Sequence, residues 1–218
     1  VAMQKDDFDN PGMLWVDIGK GEYSKIDGKA GKSCKACHGN VKSFKGVATK
    51  GPWYSKTDKK LRTIQDQINW DRTKRMKAKA WKWDSDQMNG MVSYIKMQSR
   101  GLPINPVIDG PAKPFFEAGK KFYYQRRGQL DMSCANCHVA YPGSKIRSNT
   151  LSEGMPNAFP EYRLKWQKVG SLHRRFKGCN KNIRAQPYKQ GSDEYTNLEL
   201  FIMWRARGLP VETPGVRM

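Results

Sequence analysis

The sequence has no run approaching the roughly 20 apolar residues that a membrane-crossing helix needs, so a helical membrane span is not among its readings. Apolar residues are scarce overall, at 38% of 218, which is little for two well-filled protein cores. Acidic residues are scarce as well: 20 Asp and Glu stand against 40 Lys and Arg, for a formal net charge of +20. Such a surplus says nothing about fold. It favours attraction to something acidic, such as nucleic acid, anionic lipid, an acidic protein or a small anion. Taken singly, most of the lysines read as solvated surface. No segment alternates long enough to be a strand, so the chain reads as all-α in class, mainly helical with irregular loops. No signal segment is visible and the sequence opens on Val1 rather than Met, as a processed mature form would.

Histidine is also rare, and two of the three histidines close the same motif. Cys34-Lys35-Ala36-Cys37-His38 and Cys134-Ala135-Asn136-Cys137-His138 are both CxxCH. In this motif the two cysteines form thioethers to haem vinyl groups, and the histidine that follows becomes the proximal iron ligand. Two matches predict two covalently attached c-type haems, and these would also fill the apolar deficit. A four-cysteine zinc site would not need a histidine after each pair, and its pairs would lie closer together. Two CxxC disulfides leave the repeated histidine unexplained.

The chain repeats itself around these motifs. Gly19-Lys20-Gly21-Glu22-Tyr23 begins fifteen residues before Cys34, and Gly119-Lys120-Lys121-Phe122-Tyr123 fifteen before Cys134. Downstream, Ser99-Arg100-Gly101-Leu102-Pro103-Ile104 matches Ala206-Arg207-Gly208-Leu209-Pro210-Val211 at an offset of 107 residues, against 100 for the motifs. Two copies at this spacing predict two cytochrome c-type domains, residues 1–105 and 106–218, joined by a linker from Asn105 to Pro114. Each copy ends in a helix. Met88, Met91, Val92 and Ile95 fall on one helical face, with Asp84 and Gln87 resembling a capping box. In the second copy Ser192 is the expected N-cap, with Asp193 and Glu194 in the first turn. Gly101 and Gly208, each followed by a proline, stop the two helices.

A haem iron usually takes a sixth ligand from the distal side. The fifth cysteine, Cys179, lies 41 residues after His138. Arg174, Arg175, Lys177, Lys181 and Arg184 flank it, and cations favour a thiolate. A buried, inert cysteine would sit among apolar neighbours instead. His173, outside both motifs, is open as a distal ligand or as a structural or substrate-contacting residue.

The run His173-Arg174-Arg175-Phe176-Lys177-Gly178-Cys179-Asn180, with Ile183-Arg184-Ala185, Pro187-Tyr188 and the close Gly208-Leu209-Pro210-Val211-Glu212-Thr213-Pro214-Gly215-Val216-Arg217, resembles the SoxA family. These are the catalytic subunits of the SoxAX cytochromes of bacterial sulfur oxidation, and the resemblance covers nearly the whole chain in its diheme form. It implies a periplasmic L-cysteine S-thiosulfotransferase. Such an enzyme joins thiosulfate oxidatively to a cysteine on the arm of a carrier protein, SoxYZ, and two electrons leave to a small partner cytochrome, SoxX. By the same resemblance Cys179 ligates the active-site iron, often as a persulfide, and Arg175 binds the sulfur anion. A rigid guanidinium fork suits a sulfur oxyanion, and a basic surface would steer an acidic carrier.

One stretch departs from the family. Its diheme members have a distal cysteine in an Ile-Asn-x-Cys-Arg stretch, where this sequence reads Ile68-Asn69-Trp70-Asp71-Arg72. Asp71 takes the cysteine's place. Met76 and Met97 are other candidates for the distal ligand of the first haem, and an open or water-bound iron is a further one. Two other functions stay open: a thiosulfate dehydrogenase forming tetrathionate, and a plain diheme electron carrier. Nucleic-acid binding is permitted by charge, but no recognisable binding module supports it.

Overall fold

The computed structural model describes residues 2–146 and 149–218. The N-terminal part runs through α1 (Met13–Ser24), α2 (Cys34–His38), α3 (Val47–Lys50), β1 (Trp53–Ser55), β2 (Lys60–Arg62), α4 (Ile64–Trp70) and α5 (Asp86–Met97). The C-terminal part runs through α6 (Lys113–Tyr124), β3 (Lys145–Ile146), β4 (Asn149–Thr150), β5 (Glu161–Arg163), β6 (Lys168–Gly170), α7 (Leu172–Asn182), α8 (Asp193–Arg205) and β7 (Gly215–Arg217). Helices dominate, but the all-helical expectation needs correction. Two antiparallel hairpins are present, β1 with β2 and β3 with β4, and in a third sheet β5 pairs antiparallel with β6 and parallel with β7. These strands are two or three residues long, too short for an alternating pattern to show in sequence. In the third sheet the ladder partner β7 comes from the far end of the chain.

In each part, the helix ahead of the CxxCH motif crosses the last long helix at a glycine. A methyl group on Gly19 would lie 2.1 Å from the Gly90 carbonyl oxygen, so α1 and α5 touch backbone to backbone. A methyl on Gly119 would lie 2.0 Å from the Asn197 carbonyl oxygen, and α6 meets α8 in the same manner. Glycine alone permits such an approach. Met88, Met91, Val92 and Ile95 are buried as their spacing predicts. The cap of α5 is Ser85, whose hydroxyl accepts the Met88 N–H at 3.3 Å. Asp84 turns away instead, accepting from Arg174 at 2.9 Å and from the Ser171 N–H at 3.0 Å. Ser192 caps α8 as expected. Tyr195, Leu198, Leu200 and Phe201 of that helix form the centre of the second core, with Phe116, Phe122 and Tyr123 of α6. The expected linker ends inside α6, where Pro114 occupies the first turn, a position that has no donor to lose.

The segments that follow α5 and α8 pair with each other. Gly101 N–H donates to Val211 O (2.9 Å), Val211 N–H to Leu102 O (3.0 Å), Ile104 N–H to Leu209 O (3.0 Å) and Gly208 N–H to Ile104 O (2.9 Å). Gly101 and Gly208 both take φ +82°, which ends each helix and turns the chain into this pairing. His173 is fully buried nearby and stacks on Trp83 at 4.4 Å. Its Nδ1 accepts the Gly191 N–H at 3.0 Å, and its Nε2 lies 3.0 Å from Glu199 Oε2 without the alignment of a hydrogen bond. Enclosed in this way, His173 is a packing residue joining α7 to the N-terminal part. No helix among the described residues is long and apolar enough to cross a membrane.

Candidate haem and sulfur site

A serine ahead of each CxxCH motif starts its helical turn. Ser33 Oγ accepts the Ala36 N–H at 3.1 Å. At the second motif the bonding is reciprocal: Asn136 N–H donates to Ser133 Oγ at 3.3 Å, and Ser133 N–H donates to Asn136 Oδ1 at 2.8 Å. A capped turn sets cysteines at i and i+3 side by side and places the histidine just beyond. The second motif then widens into a π-helical turn over Asn136–Ala140, a form common at functional sites.

The surroundings suit a large apolar group held by thioethers. None of the five cysteines is in a disulfide. The two motifs do not combine, because among the described residues no group of three or more His, Cys, Asp or Glu is arranged to hold a metal ion. A cleft lined by Tyr124, Ser133, Ala135, Asn136 and Val139 runs along the second motif. Tyr124, Leu130, Val139 and Tyr141 are left exposed around it.

His138 is oriented as a metal ligand should be. Its Nδ1 lies 2.6 Å from the Ser152 carbonyl oxygen, which as a pure acceptor places the proton on Nδ1 and the lone pair on Nε2. The ring packs on Gly154, where an added methyl would come within 2.8 Å of the ring. Cys179, on α7, lies close enough to this same His138 to feel it. Burial works to raise the Cys179 thiol. His138 and the charges of Arg175 and Arg163 outweigh it, so the thiol is held below its ordinary range.

The first motif has Asp71 in the corresponding position. Its Oδ2 lies 3.3 Å from His38 Nε2, and Gln67 Nε2 donates to the same oxygen at 3.1 Å. Burial raises the Asp71 carboxyl, but the hydrogen bonds from His38 and Gln67 and the charges of His38 and Arg75 hold it lower than usual. Asp71 opens a second π-helical turn, Asp71–Arg75. Met76 is buried at the end of that turn, and Met97 is the last residue of α5. Among the described residues, Asp71 is the group at hydrogen-bond distance from His38 Nε2.

The basic neighbours of Cys179 divide. Arg174 is committed to Asp84 at 2.9 Å, and Lys181 and Arg184 point into solvent. Arg175 lies one helical turn before Cys179, half-buried, with no acceptor for its guanidinium among the described residues. Arg163 also acts on the thiol and was not visible from sequence. It is sixteen residues upstream, on a strand that only the pairing with β6 and β7 defines.

The description "SoxA/TsdA, cytochrome c domain" matches residues 18–104 and again residues 118–211. The L-cysteine S-thiosulfotransferase subunit SoxA of Paracoccus pantotrophus is 43% identical over 215 residues, covering 99% of this chain and 74% of its own length. The same subunit of Rhodovulum sulfidophilum is 42% identical, covering 99% of this chain and 76% of its own. The crystal structure of SoxXA from P. pantotrophus superposes with a TM-score of 0.97 at 43% identity, covering all of this chain and 82% of that one.

Proposed function

Because the chain belongs to the SoxA/TsdA cytochrome c family, we propose that it is the thiosulfate-conjugating subunit of a SoxAX-type enzyme, an L-cysteine S-thiosulfotransferase. The overall change is RSH + S₂O₃²⁻ → RS–S–SO₃⁻ + H⁺ + 2 e⁻, with the new S–S bond on a cysteine of a carrier protein of SoxYZ type. The electrons pass to a small SoxX-type cytochrome bound as a heterodimer. The surroundings are periplasmic, the compartment in which this family works. The chain divides at residues 105 and 106 into two cytochrome c-type domains descended from one repeat. Each would hold one c-type haem, through Cys34 and Cys37 with His38 in the first and through Cys134 and Cys137 with His138 in the second. When bound, a c-type haem supplies one-electron redox chemistry.

The observation that carries this reading is Arg175, half-buried on α7 one helical turn before Cys179 and without an acceptor among the described residues. An electron-rich thiolate can form and exchange sulfur–sulfur bonds. Cys179 is therefore the reacting sulfur, and it would also be a ligand to the second haem. Arg175, with no acceptor among the described residues, receives the sulfur oxyanion through charge-assisted hydrogen bonds. The Ser152 carbonyl holds His138 in the ligating tautomer. Asp71, beside His38, would face the first haem, and a hard carboxylate there would give that haem a different role from the second. The surplus of +20 steers an acidic carrier to the site.

The experiment is turnover of the haem-loaded protein with thiosulfate, partner cytochrome and carrier, followed by mass analysis of the carrier cysteine. Thiosulfonate on the carrier is the expected product. Tetrathionate formed from thiosulfate alone would identify a thiosulfate dehydrogenase instead. Electron transfer with no sulfur product would identify a plain carrier.

A further inference from the structure

The two CxxCH motifs are framed by the same backbone. Gly28 and Gly128 take φ +73° and +71°, and a methyl on either would lie 2.2 Å from a carbonyl oxygen, that of Met76 or that of Ile183. The turn after each glycine is bonded to a matching strip of chain. Lys29 N–H donates to Lys77 O at 3.3 Å and Ala30 N–H to Met76 O at 3.1 Å. In the second copy Gln129 N–H donates to Arg184 O and Leu130 N–H to Ile183 O, both at 3.4 Å. The first strip directly follows the π-helical turn that brings Asp71 to His38. Side chains around the two motifs therefore occupy matching places.

Those places differ in charge. Lys29, Lys32 and Lys35 stand where the second copy has Gln129, Met132 and Ala135. Residues 28–57 hold seven lysines and no Asp or Glu, and residues 72–83 hold six cations and again no Asp or Glu. Residues 128–157, around the second motif, hold two charges of each sign. Lys29, Lys32, Lys35, Lys74, Lys77 and Lys79 are all exposed. The lysines that do pair with carboxylates among the described residues are others, Lys25, Lys60 and Lys168. The arginines of the first rim are already taken, Arg72 by Asp27 at 2.7 Å and Arg75 by Asp71 at 3.3 Å. The free charge of this rim is thus lysine alone. Massed charge of one sign destabilises the compact state by self-repulsion. The same backbone forms around the second motif without it, so the lysines do not serve the fold.

We propose that the lysine rim of the first motif is a docking face for a small, acidic one-electron carrier protein that binds transiently. Lysine is depleted from the cores of stable interfaces, and its flexible, strongly hydrated charge suits a brief contact. Opposite charge across such a contact speeds the encounter more than it strengthens the complex. Electron-transfer pairs are among the smallest and weakest of specific protein contacts. A phosphate-rich partner would be met by free arginine forks, and both arginines here are occupied. The rim of the second motif, with Leu130, Val139 and Tyr141 exposed, lacks this complementarity. The redox character of the partner rests on the reading that Cys34 and Cys37 hold a haem.

The test uses the haem-loaded full chain with flavodoxin, a small acidic one-electron protein, as the probe. Association is followed by surface plasmon resonance at low and at high salt, after the haems per chain have been counted by absorbance. Lys29→Gln with Lys32→Gln and Lys35→Ala is expected to slow association at least about tenfold at low salt and to flatten its salt dependence. Lys113→Gln with Lys120→Gln and Lys121→Gln removes the same charge from exposed positions on α6 and is expected to stay within about twofold of the parent. If the first variant fails to take up haem, Lys74→Gln with Lys79→Gln is expected to slow association at least about threefold. Parent-like association of the rim variant, an equal loss in the α6 variant, or no association of the parent overturns the docking face. Rim-dependent binding to vesicles of anionic lipid with none to flavodoxin assigns the rim to a membrane surface and overturns the proposal as well. When two haems are counted, any of these failures leaves the haem reading standing. When the first motif holds no haem and rim-dependent association persists, the redox character of the partner is overturned and the docking face is not.

Discussion

Replacing Gly119 with alanine tests the frame that positions the second haem motif. The new methyl would lie 2.0 Å from the Asn197 carbonyl oxygen and 2.5 Å from its carbon. Real Cβ atoms stay about 3.0 Å or more away, so α6 must move off α8 by roughly 1 Å at their crossing. That shift loosens a core built from Phe116, Phe122, Tyr123, Leu198 and Phe201. Overpacking of this kind costs about 1–3 kcal/mol, which for a chain of this size lowers Tm by roughly 2–12 °C. Gly21→Ala supplies the opposite case. Gly21 lies exposed inside α1, and a methyl there meets nothing within 4 Å. It removes only unfolded-state freedom, a gain of about 0.4–1 kcal/mol. Thermal unfolding of the haem-loaded proteins followed by circular dichroism compares the two. A Gly119→Ala protein as stable as the parent would refute the backbone-to-backbone crossing.

Three further outcomes follow from the site and its flank. Arg175→Gln lowers kcat/KM for thiosulfate by about 10- to 100-fold, the loss of one charge-assisted hydrogen bond of about 1.5–3 kcal/mol, while the haem spectrum is unchanged. Asp71→Cys adds a second thiolate-ligated low-spin species to the electron paramagnetic resonance spectrum, and the parent shows this type of signal from one haem only. Asp27 accepts from Arg72 Nη2 at 2.7 Å, and that hydrogen bond, with the Gly28 N–H, holds its carboxyl below the usual range. A lowered folded pKa stabilises above the unfolded value of about 3.9 and is lost as pH falls through the folded value. Asp27→Asn is therefore less stable than the parent in urea at pH 7, and the difference shrinks as pH falls below the unfolded value.

Much of the site was legible because it is local. The spacing of two cysteines and a histidine fixes a motif whatever surrounds it, and the paired glycines, Gly19 with Gly119 and Gly101 with Gly208, mark the copies at once. What those glycines do is a tertiary fact: the first pair are crossing points, and the second turn the chain into the pairing that joins the two parts. Asp84 shows the limit of a local rule. Its spacing to Gln87 fits a capping box, yet Ser85 caps the helix because Asp84 is drawn to Arg174 across the molecule. Arg163 was missed for a related reason. Its strand is three residues long and takes its second partner from the far end of the chain, and nothing in Glu161-Tyr162-Arg163 announces a strand or its nearness to Cys179. The cations flanking Cys179 in sequence were overcounted, since helical geometry sends Lys181 and Arg184 to solvent and brings Arg175 to the site.

The central claim is that Cys179 is the reacting sulfur facing His138. Thiosulfate-dependent turnover of a haem-loaded Cys179→Ala protein, with partner cytochrome and carrier present, tests it most directly. Loss of conjugation by at least about a thousandfold is predicted, because no other described cysteine is both free of a haem motif and held toward the thiolate. Turnover at the parent rate would contradict it.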